Sequence, residues 1–190
     1  MNGHDMNTIS TRELVAGYLL FRLEKQNLPW HTAPDLPTPG KVQLTMQILG
    51  DEFEHRYNEV FQQMCNQLHI TPNTARHTFV AVVNELFSDG VKWGRIVALF
   101  SFAGTLAVQC IEKEMPPVVD QIVDWVTNYV DNHLMSWILE NDGWDGFVEF
   151  YEGRADRRNE NPWPSFTKIC GYAVGAVGVL TLGALFSQKS

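Results

Sequence analysis

Residues Asn84 to Cys110 read NELFSDGVKWGRIVALFSFAGTLAVQC, and this stretch decides the fold. Its first part is a polar turn, Ser88-Asp89-Gly90-Val91-Lys92-Trp93-Gly94-Arg95. Its second part runs from Ile96 to Ile111 without a charged side chain. Those sixteen residues are short for a membrane span, yet they make a helix of about 24 Å at 1.5 Å per residue. Apolar side chains cover nearly the whole circumference, which marks a helix buried on all sides. Such a helix needs a jacket of amphipathic helices. Within the turn, Gly90 and Gly94 remove side chains where backbones approach closely. Arg95 stands at the mouth of the apolar helix, beside Trp93. A fork-shaped cation in that place takes either an internal carboxylate or one brought by a partner.

The flanks supply the jacket. Upstream, Phe79, Val82, Val83 and Leu86 share one helical face, and Thr71-Pro72 has the form of an N-cap followed by proline at the first helical position. Met64 to His69 reads as a separate short helix or turn. Val42, Met46, Leu49 and Phe53 are spaced by four, three and four, so they line one face of a helix from Val42 to Phe61. Asn27 to Gly40 carries Pro29, Pro34, Pro37 and Pro39 and is a loop. Before it, Ser10-Thr11-Arg12-Glu13 has capping-box form and opens a helix with Leu14, Val15, Tyr18, Leu19 and Leu23 as its apolar stripe. Downstream, Glu112-Lys113-Glu114 is a polar break. Pro116-Pro117 then starts a helix with Val119, Ile122, Val123, Val126 and Val130 inside, so that two helices form a central hairpin. Asn141-Asp142-Gly143 stops a helix, and Asp145 falls in the first turn of the next.

Composition narrows the class. The chain has 190 residues, 45% of them hydrophobic, which suits one compact domain. A net charge of -8 lacks the basic face of a nucleic-acid binder. Cys65, Cys110 and Cys170 are odd in number and set among apolar residues, so they read as free thiols in a reducing compartment. No phosphate-binding glycine loop, nucleophile elbow or zinc-spaced Cys/His cluster occurs, and the six histidines are scattered. The chain reads as a non-enzyme with no cofactor and no metal. Ile169 to Phe186 holds eighteen residues without a charge, between Lys168 and Lys189. This segment is a candidate tail anchor, and the competing reading is a last core helix. The expected division is a helical bundle over 1–152, a linker over 153–168 and a tail anchor over 169–186.

ELFSDGVKWGRIVALFSFAG closely resembles the first homology motif of the B-cell-lymphoma-two (Bcl) family of apoptosis regulators. Other segments resemble further motifs of that family. Thr11 to Leu19 is similar to the fourth, VQLTMQILGDEFEHRY to the third, and Trp137 to Tyr151 to the second. Gln67 to Pro72 is similar to the vertebrate Bcl-x type, within the pro-survival branch. The resemblance implies an all-α bundle of about eight helices around a buried central hairpin, with a C-terminal transmembrane tail helix. It implies a hydrophobic groove that receives the amphipathic third-motif helix of pro-apoptotic relatives and so prevents permeabilisation of the mitochondrial outer membrane. The residues it assigns to the groove are Phe53, Tyr57, Phe61, Met64, Val82, Glu85, Leu86, Lys92, Gly94, Arg95, Val97, Ala98, Phe102 and Tyr151. Arg95 would pair with the partner's aspartate and Gly94 would let its backbone come near. Lys92 stands where the motif usually has asparagine. The implied location is the outer mitochondrial membrane facing the cytosol, with the endoplasmic reticulum membrane and the cytosol as further sites. Homo- or heterodimers are implied as well. Two other readings stay open: a pore-forming death effector of the same fold, and a helical lipid or small-ligand carrier.

Overall fold

The computed structural model describes residues 9–67 and 70–154, the side chains of residues 58, 61, 62 and 64–67 excepted. The proposed tail and nearly all of the linker therefore lie outside the described residues. Among those described, every regular element is helical: α1 (Thr11–Lys25), α2 (Lys41–Gln67), α3 (Ala75–Leu86), α4 (Trp93–Glu112), α5 (Pro117–Tyr129), α6 (Met135–Glu140) and α7 (Gly143–Glu152). A π-helical turn over Val130–Leu134 carries α5 into α6.

The charge-free stretch is the axis of the bundle. From Ile96 to Ala107 every residue of α4 is buried, and α1, α2, α3 and α5 all pack on it. By length and composition α4 could cross a membrane, but it is mostly buried inside the protein. The hydroxyls of Ser101 and Thr105 within it have partners. Thr105 donates to the Ser101 carbonyl at 3.1 Å, and the Ser101 and Tyr18 hydroxyls lie 3.4 Å apart. Burial raises the Tyr18 pKa, so the phenol stays protonated.

The α1 capping box is present as expected. Glu13 N–H donates to Ser10 Oγ at 3.2 Å, and Ser10 N–H donates to Glu13 Oε2 at 3.0 Å. The Ser10 hydrogen bonds lower the Glu13 pKa. Leu14, Val15, Tyr18, Leu19 and Leu23 are buried, as the stripe requires. Small residues let the helices close on one another. A Cβ on Gly50 would lie 2.1 Å from the Tyr18 hydroxyl, and one on Gly104 would lie 2.8 Å from Arg22 Cγ. The proline-rich loop is non-helical, and it is pinned: the Trp30 indole N–H and the Thr32 hydroxyl both donate to Asp120 of α5, at 3.1 and 2.9 Å.

Three boundaries differ from expectation. Helix α2 runs unbroken to Gln67, so Met64 to Gln67 is its last turn and not a separate element. The polar run Gln62-Gln63 looks like a stop but contains no glycine or proline to enforce one. Helix α3 begins at Ala75, not Pro72; Thr71 and Thr74 form a turn in which the Thr71 carbonyl accepts from Ala75 N–H at 2.9 Å. The turn before α4 is shorter than expected, because Trp93, Gly94 and Arg95 already belong to the helix.

The α1–α2 seam holds a charged clasp that no motif announces. The Arg22 side chain is only 7% exposed and pairs with Glu54; Lys25 Nζ lies 2.7 Å from Asp51 Oδ1. These residues border a cavity of about 510 Å³ that His55, Arg56 and Glu59 also line. Burial pushes the Glu54 carboxyl up to about 7; Arg22 draws it down and Asp51 pushes it further up. The native state therefore prefers Glu54 protonated. Its contribution to stability is fully present below the ordinary carboxylate value of 4.5 and is lost as pH rises toward 7. Glu54→Gln, which keeps a neutral side chain at every pH, should remove a loss of about 2–3 kcal/mol between pH 4.5 and 7. Urea unfolding of both proteins across that range checks this, and parallel stability profiles would refute it.

Candidate functional site

The turn between α3 and α4 is built from backbone hydrogen bonds. Ser88 N–H and Oγ both donate to the Glu85 carbonyl, and Gly90 N–H donates to the Phe87 carbonyl at 3.0 Å. Gly90 adopts φ +97°, a conformation that favours glycine. The chain then enters α4 through Lys92, which holds an extended N-cap conformation (φ -152°, ψ 153°) but makes no side-chain cap hydrogen bond. Arg95 N–H and Ile96 N–H donate to the Lys92 carbonyl at 2.9 and 3.1 Å.

Arg95 sits in the first turn of α4 with its side chain 12% exposed. Its Nη1 donates to the Gly90 carbonyl at 2.8 Å, and its Nη2 lies 3.4 Å from Asp89 Oδ2. The internal partner is thus a neutral carbonyl plus a distant carboxylate that is itself 84% exposed. No acidic residue occupies the first turn of α4. Lys92, Arg95 and the positive end of the helix dipole together form an electropositive corner. Trp93 anchors it from below. Its ring packs 4.9 Å from Trp137 and 5.4 Å from Phe147 by centroids, tying the corner to α6 and α7.

The structure distributes the expected groove residues over α2, α3, α4 and α7. Phe53, Val82, Leu86, Val97, Ala98 and Phe102 have no exposed surface and belong to one contiguous apolar cluster. Tyr57 and Tyr151 pack against its edge, half-buried, and the Tyr57 ring lies 4.8 Å from that of Phe53. Phe79, which the resemblance did not single out, stacks on Phe102 at 6.2 Å. Gly94 is buried, Glu85 is half-buried and Lys92 is exposed. The Phe61 and Met64 side chains lie outside the described ones. Among the described residues no group of three or more His, Cys, Asp or Glu side chains could hold a metal.

Two charged contacts were not legible in the sequence. Asp89 is visible there only as part of an Asp-Gly turn. Asp51, the acid that follows the third of the four apolar anchors of α2, is already engaged by Lys25 and lies 3.6 Å from Arg22 Nη1. The α2 anchors Met46, Leu49 and Phe53 are fully buried. In this chain that motif is part of the fold.

The described residues form a small all-α bundle around one apolar helix, with an arginine and a glycine at the helix entrance. The family model for apoptosis regulator proteins of the Bcl-2 family matches residues 46–144, from α2 into α7. The chain is 47% identical over 154 residues to apoptosis regulator Bcl-2 of Gallus gallus, covering 80% of this chain and 65% of the relative. It is 46% identical over 160 residues to the Canis lupus familiaris protein of that name, covering 83% and 67%. It is 47% identical over 148 residues to Bcl-2-like protein 1 of Homo sapiens, covering 78% and 64%. The chain belongs to the Bcl-2 family. It spans about two thirds of the length of these relatives, and both types match at the same level.

Asparagine caps a helix where lysine does not, and lysine places a positive charge on the positive end of the dipole. Lys92→Asn should therefore stabilise the chain by about 1 kcal/mol. A higher urea midpoint at unchanged slope is the expected readout, and a lower midpoint would show that Lys92 makes a compensating contact.

Proposed function

We propose that the chain is an anti-apoptotic regulator that binds the third-homology-motif helix of pro-apoptotic relatives, and so prevents permeabilisation of the mitochondrial outer membrane. The observation that carries this reading is the electropositive corner at the α4 entrance. Among the described residues Arg95 has one carboxylate partner there, the solvent-exposed Asp89 at 3.4 Å, beside a contiguous apolar cluster. Family membership supplies the context.

In this reading a partner helix seats its apolar side chains on the cluster of Phe53, Val82, Leu86, Val97, Ala98 and Phe102. Its aspartate meets Arg95, and its backbone passes over Gly94. Tyr57, Phe61, Met64, Glu85, Lys92 and Tyr151 line the margin. The six central residues are fully covered in the unbound protein, so the partner has to displace the contacts that now bury them. Burial of apolar surface supplies most of the affinity, and the arginine fixes register and rejects helices lacking the acid. The bundle over 1–152 is the binding module. Residues 153–168 act as a linker, and 169–186 anchor the protein in the outer mitochondrial membrane by its tail.

Calorimetric titration of full-length protein with such a helix tests the assignment. Arg95→Ala should cost about 2–5 kcal/mol of binding, the range for truncating a hydrogen-bonded charge partner. Unchanged affinity would remove Arg95 from the site. Gly94→Glu should abolish binding while circular dichroism still reports the native helix content; loss of helix would make Gly94 structural instead.

A further inference from the structure

We infer that Asp89 is a built-in competitor for the partner's carboxylate: it occupies Arg95 in the unbound protein and sets how strongly the site demands an acid. The inference rests on the binding mode proposed above and adds to it a specificity-determining residue.

Three observations carry it. First, the two functions of Arg95 are split between its nitrogens. Nη1 donates to the Gly90 carbonyl at 2.8 Å, a contact that orients the guanidinium, whereas Nη2 faces Asp89 Oδ2 at 3.4 Å. The second distance is long for a charge-assisted hydrogen bond, so this nitrogen is held by charge more than by geometry. Second, the two partners are buried very unequally. The arginine side chain is 12% exposed and the aspartate 84%. Among the described residues the Asp89 carboxylate has no other partner, so water can replace Arg95 at little loss to it. Third, the turn does not need the Asp89 side chain. Its shape is set by the Glu85–Ser88 and Phe87–Gly90 backbone bonds and by the positive φ of Gly90. Asp89 is thus an exposed charge on a frame set by backbone hydrogen bonds, balancing a corner that otherwise carries Lys92, Arg95 and the α4 dipole.

The consequence is a particular pattern of selectivity. A helix bearing an aspartate displaces Asp89 and regains what Arg95 loses. A helix without the acid leaves Asp89 in place, gains nothing from Arg95, and binds through apolar contacts alone. Removing Asp89 strengthens the corner's attraction for acidic helices and leaves neutral ones alone. Because Asp89 is exposed, the effect is also screened by salt.

The test is calorimetric titration of full-length wild type and Asp89→Asn with two synthetic peptides. One is a third-homology-motif helix of a pro-apoptotic relative; the other is the same peptide with its aspartate changed to alanine. The expected result is that Asp89→Asn binds the acidic peptide about two- to fivefold more tightly at low salt, a gain that shrinks at 0.5 M salt, and binds the alanine peptide as wild type does. Equal changes with both peptides, no change with the acidic one, or weaker binding of it would overturn the inference; weaker binding would mean that Asp89 contacts a basic group of the partner. Wild type supplies the separate check. If it binds both peptides equally, the Arg95 reading itself fails. If it prefers the acidic peptide while Asp89→Asn changes nothing, only the role of Asp89 fails.

Discussion

A helix with no charged side chain from Ile96 to Ile111 cannot turn any side to water, and the rest of the molecule follows from that. The segment carries Leu99, Phe100, Phe102 and Leu106 at zero to one per cent exposure. Truncating a side chain of this size in a close-packed core costs about 3–5 kcal/mol, a large part of a domain's net stability. The surrounding helices are therefore fixed by where they can cover α4. Tyr18 and Phe100 meet edge to face at 5.8 Å from the α1 side. Phe79 and Phe102 stack from the α3 side. Small residues at Gly50 and Gly104 let α1 and its neighbours come close enough to do so.

The same constraint places the charges. With none admitted to the apolar run, they gather at its ends and along the seams of the jacket. At the α4 entrance, Arg95 and Lys92 stand on the positive pole of the helix, opposed among the described residues by the exposed Asp89. Along the α1–α2 seam, Arg22 and Lys25 face Asp51 and Glu54. The two clusters differ in kind. The seam is enclosed enough for burial to raise the Glu54 pKa. At the corner the aspartate is 84% exposed, in contrast to the enclosed seam. The enclosed pair belongs to the fold; the exposed one is where the proposed recognition by Arg95 would act.

Much of this was legible in the sequence. The capping box at Ser10 and Glu13, the apolar stripe of α1, the buried face Phe79–Leu86 and the stop at Asn141 to Gly143 are local signals, and each rests on hydrogen bonds or periodicity within a few residues. The α2 end was not legible, because nothing in the run after Phe61 forbids helix. Nor was the start of α3, where Thr71 and Thr74 exchange hydrogen bonds in a turn that imitates a cap. At the candidate site, the resemblance named residues whose periodicity alone reads as core, and six of them are indeed fully buried. The Asp89–Arg95 contact depends on how the turn folds back onto the first turn of α4, and the depth of Arg22 depends on which helices face each other across the bundle. Neither spacing nor composition encodes that.

The central claim is that the chain restrains membrane permeabilisation. It is tested most directly by dye release from cardiolipin-containing liposomes, with full-length protein added first with an activator helix and then alongside a pore-forming effector of the family. The account predicts no release by the protein itself and suppression of release by the effector. Release by the protein after activation would contradict it, and would shift the functional weight from the α4 entrance to the α4–α5 hairpin.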